Sequence, residues 1–351
     1  MMAGGTGGHV FPGLAVAKRF REQGVKVEWL GTRKGLEAKL VPEADFKLHF
    51  MSITGLRGKG WQDLIYGPWR LMMATLEARR IIKKFDPDIV IGMGGFVSGP
   101  GGIAAFLLGK KLVIHEQNAK PGLTNKWLSF IATKVLEGFP HTFKQNKAII
   151  TTGNPVRSEI TGLKSPDIRL THRTKPHLLI FGGSLGASAL NELLPKALAK
   201  LPESMRPDIM HQAGTIQFAD TAKTYESLGL KAEVVPFIHE MDKAYEWADV
   251  VLSRAGALTI AELCAVGLGA ILVPYPYAVD DHQTANANYM AKEKAAILIQ
   301  QADLSVDVLV KLLEELCGSA DKRMAMAKAA FQLRRIDATE RVLNICEEIC
   351  H

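Results

Sequence analysis

The chain is poor in cysteine and has no framework for it. Only Cys264, Cys317, Cys346 and Cys350 occur in 351 residues, without paired spacing. A disulfide-stapled secreted domain is therefore excluded, and free thiols in a reducing compartment are expected. Cys346 and Cys350 stand four apart on an apparent helix but lack companion ligands, so they are read as helix packing. No apolar run approaches the roughly 18 residues that a spanning helix needs, and the opening is not a basic and then apolar leader. H-E-x-x-H, a Walker lysine and C-x-x-C are missing, which removes zinc-protease, P-loop and dithiol chemistry. There is no low-complexity tract. Charge is only mildly one-sided, with 43 Lys and Arg against 36 Asp and Glu, net +7. That is too little for a nucleic-acid tail, and no nucleic-acid partner is expected. It suits anionic small molecules or an anionic lipid surface.

What is present is apolar and periodic. Hydrophobic residues make up 47% of the chain, enough for a substantial core, and the length accommodates two domains. Short apolar runs at 25–30, 46–51, 88–92, 111–115, 133–136 and 149–151 alternate with helical patterns. A second series lies at 177–181, 208–211, 232–235, 250–253, 270–274 and 297–300. Helices are expected at 10–20, 189–201, 259–266, 284–294 and 336–350. Strand–helix alternation with Val/Ile-rich strands predicts an α/β protein with parallel sheets covered on both faces, as two Rossmann-like domains in tandem. The boundary falls in Gly153-Asn154-Pro155-Val156-Arg157 and the polar stretch 164–175. Ligands of such sheets bind at the carboxyl ends of the strands, so the active site is expected in a cleft between the two domains.

Three glycine-rich turns stand at such places. The first is Ala3-Gly4-Gly5-Thr6-Gly7-Gly8-His9, with only Met1, Met2 and Ala3 ahead of Gly4 as a strand stub. Glycines let backbone N–H groups approach a ligand, and the following helix terminus favours an anion, most often phosphate. His9 is placed to meet a reacting group; a surface His beside a tight turn is the plainer alternative. The second, Gly92-Met93-Gly94-Gly95-Phe96-Val97-Ser98-Gly99-Pro100-Gly101-Gly102, reads as another phosphate-contacting turn or as close helix–strand packing. The third, Phe181-Gly182-Gly183-Ser184-Leu185-Gly186-Ala187, places the Ser184 hydroxyl on a phosphate, with Arg157 able to add a full charge.

Further candidates follow. In Ser253-Arg254-Ala255-Gly256-Ala257-Leu258-Thr259-Ile260-Ala261-Glu262, Glu262 either accepts from a ribose diol or closes a capping box with Thr259. In the segment 274–284, Asp280 and Asp281 diverge and lack a third ligand, so no metal is expected. Asp281 is read as helix-start charge and Gln283 as a sugar contact. His115-Glu116-Gln117-Asn118 ends a strand. The stretch 55–85 interleaves Trp61, Leu64, Ile65, Tyr66 and Trp69 with Arg and Lys, which suits an anionic membrane interface; a core-facing helix with a charged outer face is the alternative.

Together GGTGGH, GMGGFVSGPGG, HEQN, GNPVR, FGGSLGA, RAGALTIAE and DDHQTANA, in this order over residues 3 to about 290, resemble the MurG family of glycosyltransferases. The resemblance implies a GT-B fold. Residues 1–157 with the C-terminal helix 336–351 would form the acceptor- and membrane-facing domain, and 158–335 the nucleotide-sugar domain. It implies inverting transfer of N-acetylglucosamine from UDP-N-acetylglucosamine to the C4 hydroxyl of the muramoyl sugar of lipid I, giving lipid II for peptidoglycan. The work would be done at the cytoplasmic face of the cell membrane, with no cofactor. By position, Thr6, Gly7, Gly8, Asn118, Arg157, Ser184, Ile238, Ala257, Leu258, Thr259, Ile260, Ala261, Glu262 and Gln283 match donor-binding residues, with Ile238 on uracil through its backbone and Glu262 on ribose. His9 matches a candidate general base. Gly5, Gly94, Gly95 and Glu116 match the proposed acceptor region, and Trp61, Leu64, Ile65 and Trp69 the membrane patch. Phe96 stands where a Tyr is common, so a hydroxyl role there is lost. The competing classes are a GT-B glycolipid transferase, a UDP-sugar epimerase, a dinucleotide oxidoreductase and a non-catalytic nucleotide-sugar sensor.

Overall fold

The computed structural model describes residues 1–52, 61–144, 148–170, 175–183 and 186–350, without the side chains of 61–65. The chain forms two compact units, residues 1–157 with 335–351, and residues 158–334.

In the first unit, β1 (Glu28–Gly31) pairs with β2 (Lys47–Phe50), and β3 (Ile89–Gly92), β4 (Lys111–Glu116), β5 (Lys134–Glu137) and β6 (Ile149–Thr151) follow one another. All pairs are parallel. Met2 joins the two sets by parallel bridges to Leu30 and Gly92. Its amide donates to the Ile91 carbonyl at 2.7 Å, and its own carbonyl accepts from the Met93 amide at 2.7 Å. The three-residue stub therefore does a strand's work with one fully paired residue. The sheet is buried on both faces by alternate side chains. Ile91, Val113 and Leu136 meet Val10, Leu14 and the C-terminal helix Ala338–Cys350. Val90, Leu112, Ile114 and Val135 meet Ala78, Ile82, Ala104 and Ala105 on the other side. The last helix is fastened through Val342, Leu343 and Cys346, with Arg19 Nε on Glu340 Oε1 at 2.5 Å. Cys346 is buried there and Cys350 is exposed.

The second unit is a six-stranded parallel sheet built from β7 (His177–Phe181), β8 (Asp208–Gln212), β9 (Glu233–Val235), β10 (Val250–Ser253), β11 (Gly269–Leu272) and β12 (Ala296–Leu298). Its order is β12-β11-β10-β7-β8-β9. Leu178, Ile180, Leu252 and Ile271 meet Leu190, Leu194, Leu309 and Leu313 in its core. Arg169 is buried under two helix ends. Its guanidinium donates to the carbonyls of Tyr245 (3.1 Å), Ala248 (3.4 Å), Val266 (3.0 Å) and Gly267 (3.0 Å).

Chain direction across each sheet reverses at one place, between Met2 and β3 in the first unit and between β7 and β10 in the second. A crevice opens beyond the strand ends at such a reversal, because successive helices depart to opposite faces. The first two glycine turns follow Met2 and β3. The third follows β7, and the Ala255-Gly256 turn follows β10. Strand order thus gathers the four motifs into one crevice per unit.

Candidate active site

In the first unit the helix Gly7–Glu22 starts three residues earlier than its apolar pattern predicts, with Thr6 as N-cap in extended conformation. His9 lies in the first helical turn rather than in the loop. Amides of a first turn lack intrahelical acceptors, so this end can accept an anion. Arg157 adds its charge there, with Cζ 5.4 Å from the centre of the Phe11 ring. The turn is set by Glu37, a buried carboxylate that accepts from Gly5 N (2.9 Å), Thr32 N (2.8 Å) and Thr32 Oγ1 (2.8 Å). Sequence reasoning did not single out Glu37.

The second glycine turn is explained by close approach. Gly94 has φ +96°, and a Cβ there would lie 2.6 Å from His9 Nδ1. A Cβ on Gly95, φ +81°, would lie 2.2 Å from the Gly4 carbonyl oxygen. Gly101 and Gly102 make room for Met2 and Leu128. The two turns are therefore built back to back, with the His9 ring lying over Gly94. His9 Nδ1 is 3.0 Å from Gln117 Oε1. Gln117 Nε2 is 3.2 Å from His115 Nδ1, and His115 Nε2 is 2.9 Å from the Gly153 carbonyl. Burial lowers the His115 pKa from its ordinary value to about 4, so this imidazole is neutral at pH 7.

Glu116 is also buried. It accepts from Asn118 N (3.1 Å), Asn118 Nδ2 (3.1 Å), Gly122 N (3.0 Å) and Asn125 Nδ2 (2.9 Å). Its carboxylate shapes the loop after β4 and orients Asn118.

In the second unit, Ser184 lies outside the described residues. The turn around it is held by Gln212, whose Nε2 donates to the Gly183 carbonyl at 2.8 Å while its Oε1 accepts from the Ile238 amide at 3.1 Å. One buried side chain thus ties the third glycine turn to the Phe237-Ile238 segment, a link no local sequence pattern announces. Gly186, φ +78°, cannot carry a side chain, since its Cβ would stand 2.0 Å from the Ala213 oxygen. The helix Ala257–Val266 begins with Gly256 as N-cap. Thr259 is therefore inside the first turn, and the capping-box alternative for Glu262 is overturned. Glu262 is instead buried, accepting from the Tyr245 hydroxyl at 2.9 Å. Leu258, Ile260 and Ala261 follow on the same helix, and Asn286 Nδ2 holds the Ala255 carbonyl at 3.1 Å. Gln283 Oε1 accepts from the Tyr275 amide at 2.9 Å, closing the loop after β11. Asp280 and Asp281 within it have φ +53° and +52°, and Asp281 is the N-cap of the helix His282–Ala291.

Trp61, Leu64 and Ile65 belong to the helix Trp61–Phe85, and their side chains lie outside the described residues. Trp69 is 60% exposed, with Tyr66, Met72, Met73 and Leu76 exposed nearby, while Ala74, Ala78 and Ile82 form the buried stripe. The helix thus carries a core-facing stripe and an exposed aromatic face on opposite sides. The helix Ser98–Leu107 adds Phe106 and Leu107, and the helix Leu123–Leu128 and the turn after it add Trp127 (68% exposed) and Phe130 (81%), which sequence reasoning missed. Among the described residues no helix is long and apolar enough to cross a membrane.

Comparison with known proteins agrees with this geometry. The models for the glycosyltransferase family 28 N-terminal and C-terminal domains match residues 1–137 and 177–342. The UDP-N-acetylglucosamine–N-acetylmuramyl-(pentapeptide) pyrophosphoryl-undecaprenol N-acetylglucosamine transferase of Marinobacter nauticus is 51% identical over 349 residues, covering 99% of this chain and 96% of its own length. That of Hahella chejuensis is 51% identical over 350 residues, covering 100% and 97%. The crystal structure of Acinetobacter baumannii MurG aligns with TM-score 0.85 at 42% identity, over 99% of this chain and 98% of that one. Two parallel α/β units of this kind make the GT-B fold, and kinship along the full length places the chain in the MurG family of glycosyltransferases.

Proposed function

We propose that the protein transfers N-acetylglucosamine from UDP-N-acetylglucosamine to the C4 hydroxyl of the muramoyl sugar of lipid I, forming lipid II with inversion at the anomeric carbon. Kinship to enzymes named for this reaction carries the substrate assignment. The observation that carries the chemistry is His9, held over Gly94 with Nδ1 on Gln117. The acceptor hydroxyl attacks the anomeric carbon, the bond from that carbon to the diphosphate breaks, and UDP departs with the electron pair. His9 Nε2 takes the hydroxyl proton. A positioned base of this kind contributes roughly 10²–10⁴-fold.

Glu262, oriented by Tyr245, accepts from the ribose diol. The Ile238 carbonyl meets the uracil imide, because its amide already serves Gln212. The terminus at Ala257 and the turn around Ser184 steady the departing diphosphate. Thr6, Gly7, Gly8, Asn118 and Arg157 complete the donor contacts, and Gln283 offers its amide nitrogen to the donor sugar. Gly5, Gly94, Gly95 and Glu116 serve the acceptor by shaping the turns it meets. No cofactor takes part. The exposed aromatic face around Trp69 and Trp127 rests on the anionic cytoplasmic leaflet, where the lipid-linked acceptor resides.

UDP release from UDP-N-acetylglucosamine, with and without a lipid-linked muramoyl acceptor in detergent, tests the reading. Release that requires acceptor, with a β-linked disaccharide product, is expected. Acceptor-independent release would point instead to an epimerase or hydrolase.

A further inference from the structure

The hydrogen bonds running inward from His9 have a fixed polarity. The Gly153 carbonyl can only accept. His115 Nε2 lies 2.9 Å from it and 3.3 Å from Thr152 Oγ1, whose own proton goes to the same carbonyl at 2.9 Å. The His115 proton therefore sits on Nε2. His115 is fully buried and neutral at pH 7, so its Nδ1 is a bare acceptor. Only the amide nitrogen of Gln117 can serve that atom, at 3.2 Å, and the same nitrogen also faces the His115 carbonyl at 3.4 Å. This fixes which way the Gln117 amide points. Its oxygen, which can only accept, is turned to His9 Nδ1 at 3.0 Å. Backbone at both residues is pinned, by Asn154 Nδ2 on the Gln117 carbonyl at 3.0 Å and Asn125 Nδ2 on the His115 carbonyl at 3.2 Å.

We infer that Gln117 and His115 are positioning residues that lock neutral His9 in its Nδ1–H form and so hold Nε2 bare toward substrate. Imidazole in water prefers the opposite tautomer, with the proton on Nε2. In that form His9 could donate but could not take a proton from an attacking hydroxyl. The lock converts a side chain with two available forms into one competent form, and it draws its direction from a backbone carbonyl 144 positions along the chain. Its effect on turnover rests on the proposal that His9 is the base; the tautomer itself does not.

The test is a long-range ¹H–¹⁵N spectrum of full-length protein labelled with ¹⁵N-histidine at pH 8, with the His9 signals assigned by their loss in His9→Gln. Wild type is expected to show a protonated, pyrrole-type Nδ1 and a bare, pyridine-type Nε2. A pyridine-type Nδ1 in wild type overturns the inference without recourse to any variant. Gln117→Leu, close in size and without polar atoms, is expected to move His9 to the Nε2–H form. Its kcat should fall about 10- to 100-fold, up to the lower end of what a positioned base contributes, with KM for UDP-N-acetylglucosamine unchanged. Lost activity with the Nδ1–H signature intact would make Gln117 merely structural and refute the lock. His115→Leu removes the acceptor of the Gln117 amide nitrogen, frees that amide to turn and should give mixed tautomers; a pure Nδ1–H signal there would remove His115 from the relay. If Gln117→Leu reverses the tautomer while His9→Ala turns over normally, the lock stands and the base assignment fails.

Discussion

Gly94→Ala is the smallest change that should separate His9, the proposed base, from the rest of the site. Gly94 has φ +96°, and holding an L-residue in this left-handed region costs roughly 1–2 kcal/mol. The added methyl would stand 2.6 Å from His9 Nδ1 and 2.8 Å from Cε1. Ordinary carbon contacts need about 3.5 Å, so the ring must retreat by about 1 Å. That retreat breaks or stretches the 3.0 Å bond to Gln117 and displaces Nε2 equally. A misplacement of about 1 Å can cost about 10²-fold in rate. The expected result is kcat lowered about 100-fold, a thermal midpoint lowered by a few degrees, and unchanged UDP affinity by calorimetry. Gly99→Ala is the control: its Cβ would meet only Thr124 Cγ2 at 3.5 Å, and activity should persist. Gly95→Ala should behave differently from both, since backbone at 2.2 Å cannot yield, and it should cost folding of the first unit. Turnover by Gly94→Ala within threefold of wild type would refute the placement of His9 over this turn.

Three other outcomes follow. Arg169→Met strands four helix-end carbonyls that now share one buried guanidinium; a loss of about 1–3 kcal/mol for each carbonyl left unsatisfied is expected, read as a large fall in melting temperature, and wild-type stability in the variant would contradict it. Burial lowers the pKa of His115 and of His211 to about 4 each. The unfolded chain then binds the extra protons first, so the stability held above pH 6.5 drains as pH falls toward 4, by about 3 kcal/mol per histidine. Melting at pH 8 and pH 5 checks the sign, and His211→Asn should flatten the loss in the second unit. Paired Trp69→Ser and Trp127→Ser should cut sedimentation with vesicles containing anionic lipid severalfold while leaving turnover in detergent intact; equal vesicle binding would remove this face from the membrane.

Sequence by itself determined where the elements lie and which glycine turns follow them. The twelve strands among the described residues appear within a few residues of their apolar runs; the central ones, such as β7 and β10, are buried on both faces and so are written as consecutive Val, Ile and Leu. The turns were legible because glycine is needed wherever φ is positive or backbone meets backbone. Family membership followed from the order of those turns.

Only the tertiary structure decided what each residue touches. A one-residue strand at Met2 leaves no periodicity to read; pairing on both sides makes it. Whether Glu262 caps its helix depended on where that helix starts, and Gly256 rather than Thr259 took the end. Which face of the helix Trp61–Phe85 is buried depended on the helix packed against it, and that packing left Trp69 outside. His9 and Gln117 are 108 residues apart, joined because the crevice between Met2 and β3 brings the end of β4 beside the first helix. Local propensity acts over a few residues, whereas strand order, and with it every contact across a crevice, is set by which surfaces bury together.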